Sequence, residues 1–521
     1  MITILNNKLL SLINNDTPKK HFVTLSAAAT VTFILWRLYS KPKPTSIDRA
    51  LLPPLVKGGI PFFGHLLDLQ KDPAKFLDRA RETEGPCFSI QIPGHQNLVV
   101  VTGALIGEVM KSQKNFDFNR GIELLIPAAK VVKESYRHKY VVDDISPREK
   151  HPILHPLRHN FKEAQIDVFS ERIITALKLA LDKELSLNKG EQKTVNVWET
   201  LTVIIAYISC ACFAGSKVGY DEDLIAGMAT FTQKIIKAGV FLSIFPEWLG
   251  KFLVRNFYSV EHEMDVIMKL LVPELQKIRN GEAMDEPTFT SMVLNLPKED
   301  GKLRSVEEAA YYFNNIALAS IHTTSHFASF AIHELACRPS LVADLRVEIA
   351  TLGNERTPET VATLPLMDSL FREVLRCDVD ILGMHHLALQ DTLMSTGQII
   401  PKGSLVVGAV EQAHRDSCFL PIDENTGEVY TGENPLDQFD AYRFVNKKMK
   451  STSIGVDHLT FGLGPHACPG RYFAANEIKY LLAEMLIRYN FTTKSGERAS
   501  NNVLLGMTKF PPTENLIFEG L

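Results

Sequence analysis

Near the C-terminus, Phe461-Gly462-Leu463-Gly464-Pro465-His466-Ala467-Cys468-Pro469-Gly470 combines one nucleophilic sulfur with three glycines and two prolines. That composition predicts a rigid loop able to hold the Cys468 sulfur in place while a flat cofactor approaches closely. Backbone N–H groups of the loop, and the N-terminus of the helix expected after it, favour a thiolate over a thiol. On a haem iron, an axial thiolate pushes electron density towards bound dioxygen and promotes O–O cleavage. His466 is placed to reach a haem propionate, and Phe461, Gly464 and Gly470 complete the pattern Phe-x-x-Gly-x-x-x-Cys-x-Gly. Taken singly, a cysteine in a Gly-Pro turn is an ordinary free thiol.

The loop resembles the haem-binding signature of the cytochrome P-450 superfamily, with every defining position present, and the resemblance can be followed over nearly the whole chain. Upstream, Glu373-Val374-Leu375-Arg376 is similar to that family's Glu-x-x-Arg helix. Its i, i+3 spacing sets both charges on one helical face, and a buried pair needs further hydrogen bonds to offset desolvation. The resemblance assigns these to Arg443, within Phe439-Asp440-Ala441-Tyr442-Arg443-Phe444. Alone, a Glu-x-x-Arg tetrapeptide is more commonly a solvated surface pair; three motifs in the family's order reverse that.

Ala319-Ser320-Ile321-His322-Thr323-Thr324-Ser325 resembles the family's distal oxygen-activation helix. The resemblance implies room for oxygen beside a small residue, and a Thr323 hydroxyl that holds a water for proton delivery. Ser and Thr side chains also open the helix ladder by bonding carbonyls one turn back. Ser320 stands where glycine is usual and His322 where an acid is usual. A histidine relays protons near neutral pH, although one in an apolar helix is as often core. Arg158 is the candidate for binding a haem propionate, with Leu154 in the place of a frequent tryptophan. His386 stands near a position where many members carry a propionate-binding arginine.

These residues need elements to hold them. Helical periodicity predicts helices over 169–185, 197–213, 309–337, 366–376 and 473–489. A strand pair is expected at 87–92 and 98–101, joined by Pro93-Gly94-His95, and a second strand-rich patch at 398–410, where Pro401-Lys402-Gly403 marks a turn. The expectation is a mainly α fold with small β-sheets early and late, forming one large domain that the resemblance makes P-450-type. Apolar residues at 45% exclude a mainly disordered chain. With 56 basic against 60 acidic residues and a net charge of −4, nucleic acid is excluded as a partner. Seven scattered cysteines, an odd number, fit a reducing, cytosol-facing setting. Cys87, Cys210, Cys212, Cys337, Cys377 and Cys418 read as small buried hydrophobes.

The first apolar segment, 22–40, is broken by Arg37 and flanked by Lys19, Lys20, Lys41 and Lys43. It nearly matches the length of a membrane span, with Trp36 and Tyr39 at the interface. A signal peptide cut near Ala27, Ala28 and Ala29 is the rival reading; the apolar stretch continues past those alanines, which favours an uncleaved anchor. The chain then divides into an N-terminal tail (1–21), a transmembrane anchor (22–40), a proline-rich tether (41–61) and a haem-thiolate catalytic domain (62–521). This order is similar to microsomal family members. It implies an endoplasmic-reticulum membrane protein with its catalytic domain facing the cytosol, holding haem b. Electrons would come from NADPH through a separate flavoprotein reductase, with cytochrome b5 as an accessory donor, since no flavin or ferredoxin-like domain is visible. Lys447, Lys448 and Lys450 read either as part of a docking face or as a solvated charge run.

The wording of the distal and cysteine motifs is similar to fungal members, a branch that includes hydroxylases of steroids, diterpenes and other fused-ring lipids. By analogy the pocket draws on 116–127, 231–248, 313–323, 379–384 and 503–507, mostly apolar stretches, and 240–249 is expected to touch the bilayer. The implied reaction inserts one oxygen atom of O2 into a C–H bond of such a lipid, a steroid in particular. Two other readings stay open. Rearrangement of a lipid peroxide without a reductase is opposed by Thr323, and a haem or lipid carrier would have no use for an intact distal helix.

Overall fold

The computed structural model describes residues 47–521 apart from 61–62, 93–94, 126, 137–150, 246, 417–435 and 446. The expected tail and anchor, with Cys418, lie outside the described residues. Among the described residues one helix, Val197–Ala214, is long and apolar enough to cross a membrane, and it is 72% buried inside the protein. It is a core helix.

In chain order the elements that position the site are β1 (Cys87–Ile92), β2 (His95–Val101), α1 (Ala104–Lys111), β3 (Phe116–Asp117), α2 (Leu154–Asn160), α3 (Asp167–Glu184), β4 (Gln192–Val195), α4 (Val197–Ala214), α5 (Glu222–Ile244), α6 (Glu247–Phe257), α7 (Val306–Ala336), α8 (Pro365–Cys377), β5 (Leu382–Ala388), β6 (Leu405–Ala409), α9 (Val410–Arg415), α10 (Arg471–Arg488), β7 (Tyr489–Thr492) and β8 (Leu516–Gly520). The helices expected from periodicity lie close to their expected ends. α7, 31 residues long, spans about 46 Å at 1.5 Å per residue. It opens on a capping box in which the Ser305 side chain accepts from the Glu308 amide and the Glu308 side chain from the Ser305 amide. α8 opens with Pro365 in its first turn, where a missing N–H costs nothing.

The early strand pair and Leu405–Ala409 of the late strand-rich patch turn out to share one sheet, in the order β1-β2-β6-β5-β3, while Ile399–Ile400 of that patch pairs with Thr392–Leu393 in a separate two-stranded sheet. β2 pairs parallel with β6 from Leu98↔Leu405 to Val101↔Gly408. β6 is buried at every position, as a central strand covered on both faces must be. Between Gly383 and His386 the β5–β6 register shifts, and Met384 there takes φ +56°. Such a bulge re-aims side chains. The end of the expected tether is pinned to the sheet: Ser89 N–H donates to Pro54 O at 2.8 Å and Val56 N–H to Ser89 O at 3.0 Å. A second sheet, β4-β8-β7, ties the C-terminus to the middle of the chain.

The core lies around α3, α4, α7 and α10. Phe473, in the first turns of α10, has its ring 5.5 Å from those of Phe161 and Phe213 and 5.7 Å from that of Phe169. These aromatic contacts, in edge-on and tilted geometries, fasten the helix that leaves the cysteine loop.

Candidate active site around Cys468

Cys468 sits between a turn that only glycine adopts easily and the N-terminus of α10. Gly462 and Gly464 have φ of +73° and +66°, a region that costs other residues about 1–2 kcal/mol. The turn closes as Gly462 N–H donates to Leu459 O at 2.6 Å and Cys468 N–H to Phe461 O at 2.7 Å. Arg471, in the first turn of α10, donates to Cys468 O at 2.9 Å.

Burial pushes the Cys468 thiol up, while the N–H groups of Gly470 and Arg471 and the charge of Arg471 pull it down. The amides pull in the direction expected from the sequence, but desolvation outweighs them. A metal ion bound to the sulfur would supply what the amides do not, because metal binding takes the proton from a thiol. Gly470 has an ordinary φ of −89°, and a Cβ there would meet no protein atom within 4 Å. Its bareness keeps a face clear for a group outside the chain. Cys87, Cys210 and Cys212 are buried, as expected of small hydrophobes, whereas Cys337, Cys377 and Cys468 are partly accessible.

Behind the loop, Glu373 and Arg376 form the buried pair expected of them. Arg376 Nη2 donates to Glu373 Oε1 at 2.7 Å and Nε to Oε2 at 2.8 Å. Arg443 Nε and the Asp440 amide also donate to Oε1, at 3.1 and 2.9 Å. Arg376 directs its remaining N–H groups to the carbonyls of Leu436 at 2.6 Å, Gln438 at 3.2 Å and His414 at 3.3 Å. These are the extra hydrogen bonds that a buried ion pair requires.

Sequence reasoning missed several residues here. Arg372 donates to Asp457 Oδ2 at 2.8 Å. Asp368 accepts from Lys479 Nζ of α10 and from Ser451 Oγ, both at 2.6 Å. Thr460 Oγ1 donates to Leu375 O at 2.7 Å. One signal was present: Asp368, Arg372, Glu373 and Arg376 place four charges on a helix whose other side chains are mostly apolar. His414, which bridges Arg376 and Leu459, gives no such signal.

On the distal side, α7 is buried along most of its length, yet Ala319 and Thr323 are exposed. At i, i+4 they share one face, so a helix through the core presents an open stripe where the sequence motif places oxygen. Thr323 Oγ1 donates to Ala319 O at 2.6 Å, the bond expected of a threonine that loosens the ladder. The Ser320 hydroxyl is buried without a partner among the described residues. His322 is also buried, its Nε2 without a partner among the described residues, and burial, opposed in part by the Ala229 backbone, lowers its pKa to about 4. Near neutral pH it is an uncharged imidazole, so the relay suggested by an ordinary histidine pKa is not poised there. Desolvation overrides the reference value.

The residues expected at the propionates come together from separate stretches. Arg158 Nη2 donates to Pro465 O at 3.0 Å. The Phe118 ring lies 5.3 Å from that of His466 and 5.4 Å from that of His386. His386 is buried; its Nδ1 meets Met384 O at 2.6 Å, and its Nε2 has no partner among the described residues. Two of the expected pocket stretches are joined: Met507 O accepts from Ile381 N–H at 2.8 Å and Leu382 N–H at 3.2 Å. Phe116, Phe231 and Phe313, by contrast, are fully buried core residues.

A buried sulfur between a glycine turn and a helix N-terminus, a bare glycine face, an open Ala–Thr stripe and Arg158 and His466 gathered beside it together fit haem. Comparison with known proteins agrees. The cytochrome P-450 family model matches residues 53–515. The chain is 25% identical over 374 residues to the cytochrome P-450 monooxygenase AN1598 of Emericella nidulans, covering 67% of each. Against the cytochrome P-450 monooxygenase BOA7 of Botryotinia fuckeliana it is 26% identical over 419 residues, 70% of this chain and 76% of the relative. Against the cytochrome P-450 monooxygenase eqxH of Fusarium heterosporum it is 30% identical over 313 residues, 55% of this chain and 57% of the relative.

Proposed function

This chain belongs to the cytochrome P-450 family, and from that premise we propose that it hydroxylates an apolar fused-ring lipid, a steroid in particular, at the endoplasmic-reticulum membrane. It is a haem-iron monooxygenase that draws electrons from NAD(P)H through a reductase. When bound, the haem supplies reduction and cleavage of dioxygen, one oxygen atom going into a substrate C–H bond and the other to water.

The chain's own residues hold, shield and move protons. Cys468 would ligate the iron, with Glu373, Arg376 and Arg443 bracing the elements behind its loop. Arg158 and His466 would hold the propionates; His386, whose Nδ1 donates to Met384 O, leaves Nε2 as an acceptor and would line the site without donating to them. Thr323 Oγ1 is the group that would pass protons on the distal side, its hydroxyl on the open stripe of α7. Neutral His322, buried on α7, would serve packing rather than carry a charge.

The open Ala319–Thr323 stripe on an otherwise buried helix carries the proposal. The fused-ring substrate rests on apolar stretches such as 379–384 and 503–507. Membrane attachment is supported by α6, where Trp248 is 72% and Phe252 53% exposed beside Lys251 and Arg255, a basic and aromatic mixture suited to a lipid surface. Leu51, Leu55 and Phe63 are also exposed, close after the expected anchor. NADPH-cytochrome reductase, with cytochrome b5, would dock near Lys447, Lys448 and Lys450, the last of which also pairs with Glu163 at 2.8 Å.

The deciding experiment is the carbon monoxide difference spectrum of the reduced protein, followed by titration with steroids and diterpenes. A strongly red-shifted Soret band, lost in Cys468→Ala, and a spin-state shift with a steroid are the expected results. A band at the position of histidine-ligated haem would overturn the ligand. A spin-state shift with diterpenes alone would overturn the steroid.

A further inference from the structure

His414 lies on α9, outside every motif that points to the haem, and is 1% exposed. Its Nδ1 meets the Arg376 carbonyl at 3.1 Å, and its Nε2 meets the Leu459 amide at 2.6 Å. Arg376 Nη1 returns a bond to the His414 carbonyl at 3.3 Å. A backbone amide can only donate and a carbonyl only accept. The ring must therefore carry its proton on Nδ1 and leave Nε2 bare. Burial, opposed in part by the bond to Arg376 O and reinforced by the charges of Arg376, Arg372 and Lys509, lowers its pKa to about 3. The neutral form that serves both arms is the form present.

Each arm ends on an element the site requires. Arg376 O belongs to the last turn of α8, where helix carbonyls lack intrahelical partners. Leu459 N–H opens the cysteine turn, and Leu459 O receives Gly462 N–H at 2.6 Å. Two residues on, Phe461 O receives Cys468 N–H at 2.7 Å. A short series of hydrogen bonds thus runs from the Glu373–Arg376 helix through an imidazole to the peptide that holds the sulfur.

We propose that His414 is a positioning residue for the axial thiolate, setting the cysteine turn relative to α8 through its Nε2···Leu459 bond. This rests on the reading of Cys468 as haem ligand. The test uses the full-length holoprotein with His414→Gln, His414→Asn and His414→Leu. A glutamine amide oxygen reaches the place of Nε2 and can accept from Leu459. An asparagine amide matches Nδ1 and keeps only the α8 arm; leucine keeps neither. The readouts are the share of reduced haem showing the red-shifted carbon monoxide band and the rate of haem transfer to apomyoglobin, with near-ultraviolet circular dichroism reporting the fold.

Partners bonded directly to a metal ligand change metal affinity about 10- to 100-fold, and His414 acts one step further out, through the Leu459–Phe461 turn, so the low end applies. His414→Leu and His414→Asn are therefore expected to lose haem about tenfold faster and to shift haem out of the red-shifted form. His414→Gln should stay close to wild type. If Leu and Asn variants do not fold, the Gln variant decides: a retained band supports the proposal and a lost band overturns it. Wild-type behaviour in all three folded variants also overturns it, as does an equal loss in all three. Absence of the red-shifted band from the wild type would instead sink the reading of Cys468 itself.

Discussion

Glu373 and Arg376 meet twice inside the protein: Nη2 to Oε1 at 2.7 Å and Nε to Oε2 at 2.8 Å, with Glu373 fully buried and Arg376 2% exposed. A bidentate pair this deep fixes orientation as well as charge, and the same carboxylate takes the Arg443 side chain and the Asp440 amide.

Removing the carboxylate strands two guanidinium groups. Glu373→Ala is expected to cost about 3–5 kcal/mol, the penalty of an unpaired buried charge. The chemical denaturation midpoint and the haem content of purified protein should fall together. An unchanged midpoint would mean that the network does not brace the fold.

Thr323 faces open space, so changing it should not disturb packing. Thr323→Val is expected to leave stability within about 0.5 kcal/mol and the carbon monoxide band in place. Product formed per NADPH consumed should drop about tenfold or more, as for loss of a proton-transfer group. Equal coupling in wild type and variant would remove Thr323 from proton delivery.

Gly462 and Gly470 should respond oppositely to alanine. At Gly462 the φ of +73° and a Cβ 3.3 Å from His466 O predict a loss of about 1–2 kcal/mol. At Gly470 a Cβ meets no protein atom, so stability without haem should stay within about 0.5 kcal/mol while haem retention weakens. Equal haem retention in Gly470→Ala and wild type would mean that the bare face is not a cofactor face.

His333 is fully buried, with both ring nitrogens unpartnered among the described residues. Burial, helped by the Arg498 charge, lowers its pKa from 6.5 to about 4. Below pH 6.5 the unfolded chain takes up a proton that the folded protein refuses, so stability is lost as pH falls towards 4. The slope is about 1.4 kcal/mol per pH unit for one histidine. His333→Leu should gain on wild type by about that slope between pH 6 and 4.5 and run parallel to it above pH 7.5. A constant gap from pH 8 to 4.5 in urea denaturation would contradict this.

The chemistry was legible wherever it was written in local order. Phe461 to Gly470, Glu373 with Arg376, and Ala319 to Thr323 are short stretches whose residue types and spacing need no partner to be recognised. The long helices were legible too, because an apolar face repeats along each of them. The protonation of His322 was not legible, because a solution pKa is a local property whereas burial inside the protein is not.

By itself the sequence determined the cysteine, the loop that carries it, the threonine-bearing helix, and a mainly helical chain with sheets at two places. Only the tertiary structure decided that strands from those two places share one sheet, that Arg158, His466 and His386 converge, and that His414 ties α8 to the cysteine turn. These depend on pairs distant in sequence, such as Leu98 with Leu405 and His414 with Leu459. A side chain's propensity and spacing describe its neighbours along the chain; which carbonyl or amide it meets across the core follows from how whole elements pack.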